Sequence, residues 1–188
     1  MDSSKINKFM DLAGQARFTE GTPPNKAREL GAQLLLSEVL EYVIKGLKVI
    51  PIVNGVKITD PNNLEYLAEG TEVDIIEMID GLADVAYTMY WNSEAFAIPL
   101  EEAFELVCDN NLEKFVELSD HSKPATKLSK ENWHCGKNVS WPIEVESVEV
   151  IKAGEQFYAV GKDKNGKVRK PSSYKSVDLS QLLKNSSH

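Results

Sequence analysis

The chain has 188 residues, 42% of them hydrophobic and 27% charged, with a formal net charge of -8 at pH 7, which suits one globular domain with an appendage. That acidic balance argues against nucleic-acid binding, which needs clustered cations to displace counterions from phosphates. Cys108 and Cys135 make no disulfide framework, and neither a charged-then-apolar leader nor an 18-residue apolar run occurs, so a soluble, cytoplasmic protein without membrane contact is expected.

Lys5 to Gln15 reads as a short amphipathic helix with Ile6, Phe9, Met10 and Ala13 on one side, closed by Gly14. Gly21, Pro23 and Pro24 interrupt regular structure before a helix from about Asn25 to Gly46, whose leucines, valines and isoleucine give an almost continuous apolar surface. Glu38 and Glu41 stand one turn apart on its other side. Asn54 and Gly55, flanked by β-branched residues, predict a small β-hairpin. Asp60 as cap, Pro61 at the first helical position and Gly70 beyond predict a short helix over Pro61 to Ala68.

Thr71, with Asp74 three residues on, resembles a capping box that opens a long helix through Tyr90. At 100° per residue, Asp80 and Asp84 fall about 60° and 20° from Glu77, so three carboxylates share one narrow face. Ile76, Ile79, Leu82, Ala83, Ala86, Tyr87 and Tyr90 form a stripe that predicts burial of the other side. Tyr87 and Trp91 are read as core, and Gly81 as a place where something approaches the backbone. Pro99 breaks this helix, and Leu100 to Leu118 supply the next. Short links between helices predict a compact antiparallel bundle.

From Ser119 the sequence turns polar and lysine-rich, as a linker or loop would. Two strand-like runs around Ala153-Gly154 and a turn at Asn165-Gly166 predict a three-stranded meander, followed by an extended segment that docks back. His134 beside Cys135 falls short of a tetrahedral metal set.

Two acidic pairs on antiparallel helices can offer four or five carboxylates to one space. A hard divalent cation would neutralise their mutual repulsion, and oxygen-only ligands point to Mg²⁺ or Mn²⁺. A di-iron bundle would need Glu-x-x-His pairs, whereas His121, His134 and His188 all lie beyond the helices. The competing reading is that Glu38, Glu41, Glu77, Asp80 and Asp84 merely solvate two helix faces. Against it, Asp84 between Ala83 and Val85, and Glu38 after three leucines and a serine, border strongly apolar surface.

SEVLEY, EMIDGLADVAYTMYW and FAIPLEEAFELVCDNNLEKF, together with the closing GKVRKPSSYKSVDLS, resemble the all-α nucleoside triphosphate pyrophosphohydrolases, the MazG-like and phosphoribosyl-ATP pyrophosphohydrolase-like superfamily. The resemblance covers Lys5 to Leu118 and Gly166 to Asp178. It implies an all-α fold, an antiparallel MazG-like bundle over residues 1–118 with an inserted hairpin, and a linker with a β-meander tail over 119–188. It also implies a Mg²⁺-dependent enzyme that cleaves the α-β phosphoanhydride of a nucleoside triphosphate, releasing monophosphate and pyrophosphate, and working as a homodimer or dimer of dimers.

Glu38, Glu41 and Asp84 match the family's metal-ligand pattern directly. Ser37 and Gly81 stand where that pattern carries glutamates, so Asp80 or Glu77 would reach the metal instead. Glu38 is the candidate general base and equally a candidate ligand. Asn111 and Lys114 match an Asn-x-x-Lys that holds phosphate oxygens, Lys167, Lys170 and Tyr174 match the closing element on the phosphate tail, and Gln15 falls where base or sugar is contacted. A catalytically idle nucleotide-binding or interaction protein is the alternative, motivated by Ser37 and Gly81.

Overall fold

The structure is a computed structural model and describes residues 3–18, 21–119 and 127–183. His121, His188 and part of the expected linker lie outside them. The chain forms two compact units, Met1–Arg17 with Ile75–His188, and Phe18–Asp74, so the second is inserted into the first.

In the inserted unit, α1 of the outer unit having spanned Ser4–Ala13, helix α2 runs Asn25–Glu41 and widens into a π-helical turn at Tyr42–Gly46. Strands β1 (Ile52–Val53) and β2 (Val56–Lys57) pair antiparallel across Asn54-Gly55. Both turn residues take positive φ, 50° and 80°, the geometry that matches the twist of a two-residue hairpin. The expected helix over Pro61 to Ala68 is absent. Asp60 spends its carboxylate on the Asn62 N–H (2.9 Å), which makes a turn, and the chain then runs irregularly. Two α2 side chains satisfy the backbone further along: Glu29 accepts from the Ala68 N–H (3.1 Å), and the Arg28 guanidinium donates to the carbonyls of Glu69 (3.3 Å) and Gly70 (2.8 Å).

In the outer unit, α3 spans Ile75–Ala95 and α4 Leu100–Leu112, separated by Ala97 at φ 52° and by Pro99. Strands β3 (Val116–Leu118), β4 (Val145–Ala153) and β5 (Gln156–Asp163) make one antiparallel sheet in the order β3-β5-β4, and α5 (Ser180–Leu183) is a single turn. On one sheet face Val116, Val145, Val148 and Ala159 pack with Cys135 and Val139 and are bordered by Leu128, Trp133 and Trp141. On the other, Val160 packs with Leu12 and Ala13 of α1, Phe115 and Val168. The Phe9 and Phe115 rings meet edge to face at 5.1 Å. Val148, Val150, Ala159 and Val160 are fully buried: Val148 and Val150 alternate on one face of β4, whereas the consecutive Ala159 and Val160 of β5 mark a strand covered on both sides.

The all-α expectation is therefore wrong. The chain is mixed α/β, 42% helical and 15% strand, with two small antiparallel sheets among the described residues. The fully buried valines stand on strands, so the sheet is a centre on which α1 packs, and it recruits β3 from residues expected to continue α4.

Gly161 shows how tightly one face is closed. A Cβ there would stand 2.4 Å from Cε3 of Trp141, closer than real contacts allow. The indole is fixed by its Nε1–H donating to the Trp133 carbonyl (3.0 Å), and Trp133 donates to the Leu128 carbonyl (3.1 Å).

Candidate functional site

The five carboxylates divide between the units. Glu38 is exposed on α2, and Glu41, one turn on, forms an ion pair with Lys45. That hydrogen bond to Glu41 raises the Lys45 pKa above its ordinary value, so any cation taken by Glu41 must displace an ammonium. Glu77, Asp80 and Asp84 are exposed on α3. Their spacing of three and four residues keeps them on one face of the helix. As an oxygen-only set the five suit a hard divalent cation. Among the described residues, however, no three His, Cys, Asp or Glu side chains converge into a group that could hold a metal ion. Neither Glu38 with Glu41 in one unit, nor Glu77 with Asp80 and Asp84 in the other, is by itself such a group.

Ser37, which stands where the resemblance calls for a glutamate, is buried, with its hydroxyl donating to the Leu34 carbonyl (3.4 Å). Gly81 has open space where a Cβ would go. No atom of the described residues comes within 4 Å of that position.

The substrate-binding candidates are better assembled. At the end of α4, Asn110 is only 8% exposed and makes two bonds: its Nδ2 donates to the Lys175 carbonyl (2.7 Å), and its Oδ1 accepts the Tyr174 hydroxyl. Lys170 lies over the Tyr174 ring, 4.7 Å from its centroid, a distance that gains cation–π attraction. Burial, and then the negative charge of Glu113, push the Tyr174 pKa above 10.0, so the phenol stays a neutral donor. Asn111 follows Asn110, and Lys114 reaches over the Phe9 ring at 5.6 Å. Residues sixty apart in sequence thus come to one end of one helix.

Lys167 lies in the turn after β5, where its N–H (3.0 Å) and that of Asn165 (2.9 Å) donate to Asp163 Oδ1, while Arg169 Nε donates to Oδ2 (2.9 Å). That buried carboxylate makes the turn a fixed part of the sheet. Gln15 is half-buried just beyond the left-handed Gly14 cap of α1, with its N–H on the Met10 carbonyl (2.9 Å). Tyr87 and Trp91, expected in the core, are exposed. His134 Nδ1 accepts the Gly136 N–H (3.0 Å), and Cys135 is buried, its thiol pKa pushed up by desolvation.

Asn110 is the residue that sequence reasoning passed over. The signal was the Asn110-Asn111 pair: at 100° per residue only one of two neighbours can face the returning segment, and burial selects the first. In comparison with known proteins, the chain matches no family model, no curated protein and no solved structure.

Proposed function

We propose that the chain is a Mg²⁺-dependent (or Mn²⁺-dependent) nucleoside triphosphate pyrophosphohydrolase of the MazG-like kind, cleaving an NTP or dNTP between the α and β phosphates. The observation that supports this reading is the return of the closing segment onto the end of α4, through the Tyr174–Asn110 bond and the Lys170–Tyr174 stack. It gathers cationic and amide groups suited to a polyphosphate, and it does so from the two stretches that carry the resemblance.

In this reading Asn111, Lys114, Lys167 and Lys170 hold phosphate oxygens, Tyr174, whose one O–H goes to Asn110, keeps Lys170 in place through its ring, and Gln15 meets the base or sugar. Lysine supplies charge to the oxygens, while asparagine fixes direction by hydrogen bonding. Glu38 accepts a proton from the attacking water as the α-β bridge bond breaks and pyrophosphate leaves. The acids that would hold the cation are two sets, Glu38 with Glu41 on α2 and Glu77 with Asp80 and Asp84 on α3, and neither set alone forms a metal-holding group among the described residues. When bound, the cation offsets triphosphate charge and acidifies water. The enzyme would work in the cytoplasm as a homodimer or dimer of dimers. No helix among the described residues is long and apolar enough to cross a membrane.

The test is incubation with a panel of ribo- and deoxyribonucleoside triphosphates and Mg²⁺, reading pyrophosphate and monophosphate together. No pyrophosphate from any member overturns the proposal. One observation favours a second reading, an idle nucleotide-binding protein: the position of the missing glutamate is a buried serine turned onto its own helix. Nucleotide binding without turnover would establish that reading.

A further inference from the structure

Past β5 the chain is held firmly as far as Ser172 and loosely beyond it. Arg169 donates its N–H to the Gly161 carbonyl (2.9 Å), and Val168 and Pro171 are buried. Ser172 makes a reciprocal pair with the stretch that carries Val139 and Trp141: its N–H donates to the Ser140 carbonyl (2.8 Å), and its Oγ accepts the Ser140 N–H (2.9 Å). The Tyr174 N–H donates to the Pro171 carbonyl (3.0 Å), which closes a turn and sends the chain toward α4. From Ser173 to Leu179 there is neither helix nor strand, and Tyr174 and Val177 are half-buried among exposed neighbours. The bonds from the Tyr174 hydroxyl and to the Lys175 carbonyl both end on the one side chain of Asn110. A stretch with so few buried apolar contacts lies at the low-stability end of a fold, from which ligand-binding loops are drawn.

We infer that residues 173–179 are a strap, hinged at Pro171 and Ser172 and latched on Asn110, that opens and closes on a polyphosphate held at the end of α4. This rests on the phosphate-binding reading above and adds a moving part to it. The two neutral bonds on Asn110 favour the latched position by a factor of about thirty. That makes it the resting state and leaves the open one within thermal reach. Lys170 lies on the fixed side of the hinge, whereas Tyr174, whose ring centroid is 4.7 Å from its ammonium, lies on the moving side. Only the latched strap therefore supports Lys170 from below, at the helix end that carries Asn111 and Lys114. A polyphosphate that meets Lys170, Asn111 and Lys114 together binds the latched form better than the open one, and a ligand shifts a two-state equilibrium by that difference in affinity. Reciprocally, loosening the latch weakens the ligand.

Trypsin reads this motion directly, because the carbonyl it attacks at Lys175 is the one that Asn110 Nδ2 holds at 2.7 Å and must leave Asn110 to enter a protease. The test is the rate of cutting after Lys175, followed by mass, with trypsin dilute enough that cutting is slower than reclosing and the rate tracks the open population. The probe is inorganic pyrophosphate with Mg²⁺, its binding measured by calorimetry on the same samples, and trypsin itself is checked on a lysyl peptide. At about a hundred times its Kd, pyrophosphate should slow the cut about hundredfold if the latched form alone binds it. Bound pyrophosphate that slows the cut less than about tenfold overturns the strap and leaves the phosphate site standing. Pyrophosphate that does not bind overturns the phosphate reading, and the strap with it. Asn110→Ala removes the latch and leaves the strap about half open, so the cut should be about fifteenfold faster and pyrophosphate should bind more weakly; a wild-type rate overturns the latch. If Asn110→Ala fails to fold by circular dichroism, Tyr174→Phe decides. It keeps the ring under Lys170, should be cut roughly five to ten times faster, and should be slowed again by pyrophosphate, a rescue that a merely structural bond would not show. Faster cutting that bound pyrophosphate leaves unchanged overturns the strap.

Discussion

Tyr174→Phe removes one oxygen and keeps the ring beneath Lys170. The lost hydroxyl donates to Asn110 Oδ1, an acceptor on a residue 8% exposed. A neutral hydrogen bond contributes about 1 kcal/mol net, and a buried acceptor left unsatisfied costs about 1 to 3 kcal/mol. Tyr174 is only half-buried, so water can reach the vacancy and the lower end applies, about 1 to 1.5 kcal/mol. Each 1.4 kcal/mol is a factor of about ten, so the closing segment should leave α4 roughly five to ten times as often. Trypsin cutting at Lys175, which is exposed and followed by Ser176, reads that opening, and urea denaturation reads the global effect. Asn110→Ala also loses the bond to the Lys175 carbonyl and should cost about 2 to 3 kcal/mol. A double-mutant cycle then isolates the pair, with an expected coupling of about 1 kcal/mol. Additivity within about 0.3 kcal/mol, with cutting unchanged in Tyr174→Phe, would refute the claim that this bond docks the segment.

Asp84→Asn keeps shape and removes one charge, so Mg²⁺ affinity and pyrophosphate release at limiting Mg²⁺ should fall together while thermal stability holds; near wild-type release would mean the acid row is solvent-facing decoration. Gly81→Ala meets no atom within 4 Å among the described residues and gains about 1 kcal/mol of helix propensity, raising the melting temperature by about 2 to 4 °C; a fall would show that something fills the space. Gly161→Ala drives a methyl into the Trp141 ring and should lower stability by about 2 to 3 kcal/mol with a shifted tryptophan emission, and an unchanged urea midpoint would contradict the packing. Alkaline titration of tyrosine absorbance should contain a component above pH 10.0 that is missing in Tyr174→Phe. Because the folded pKa is the raised one, the stability this phenol contributes is complete below its unfolded value and is lost as pH climbs through the folded value.

The features legible in the sequence were those that one period or one dipeptide decides. The three- and four-residue spacing of Ile76, Ile79, Leu82 and Ala86 marks α3, and Asn54-Gly55 marks the hairpin turn by the positive φ it tolerates. Where two periods fit the same residues, tertiary pairing chose. Val116 and Leu118 satisfy a helix as well as a strand, and pairing with Ala159 and Phe157, about forty residues later, makes them β3. The third run of the expected meander meets its neighbour only through the Lys162–Val168 bridge. Composition gave no means of weighing a valine-rich hairpin against three long helices, which is why the bundle was expected to hold the centre. The acid row was readable as a row, since that needs only the helix, whereas the convergence of five carboxylates depends on two units that no local pattern relates. Asn110 could not be separated from Asn111 without knowing which one Tyr174 returns to.

The insertion of residues 18–74 between α1 and the rest of its unit has a consequence for synthesis. Leu12 and Ala13 bury against Phe115, Val160 and Val168, none of which exists when α1 leaves the ribosome. At about 5 to 20 residues per second, α1 waits roughly 10 to 30 s before its last partner is made. The inserted unit has by then emerged whole, so the nascent protein carries a finished middle and an unfinished beginning. A tag or fusion at the N-terminus lengthens no interval in that wait, but one that sequesters α1 delays closure of the sheet, leaving the far face of Val160 as the exposed surface for chaperones to hold.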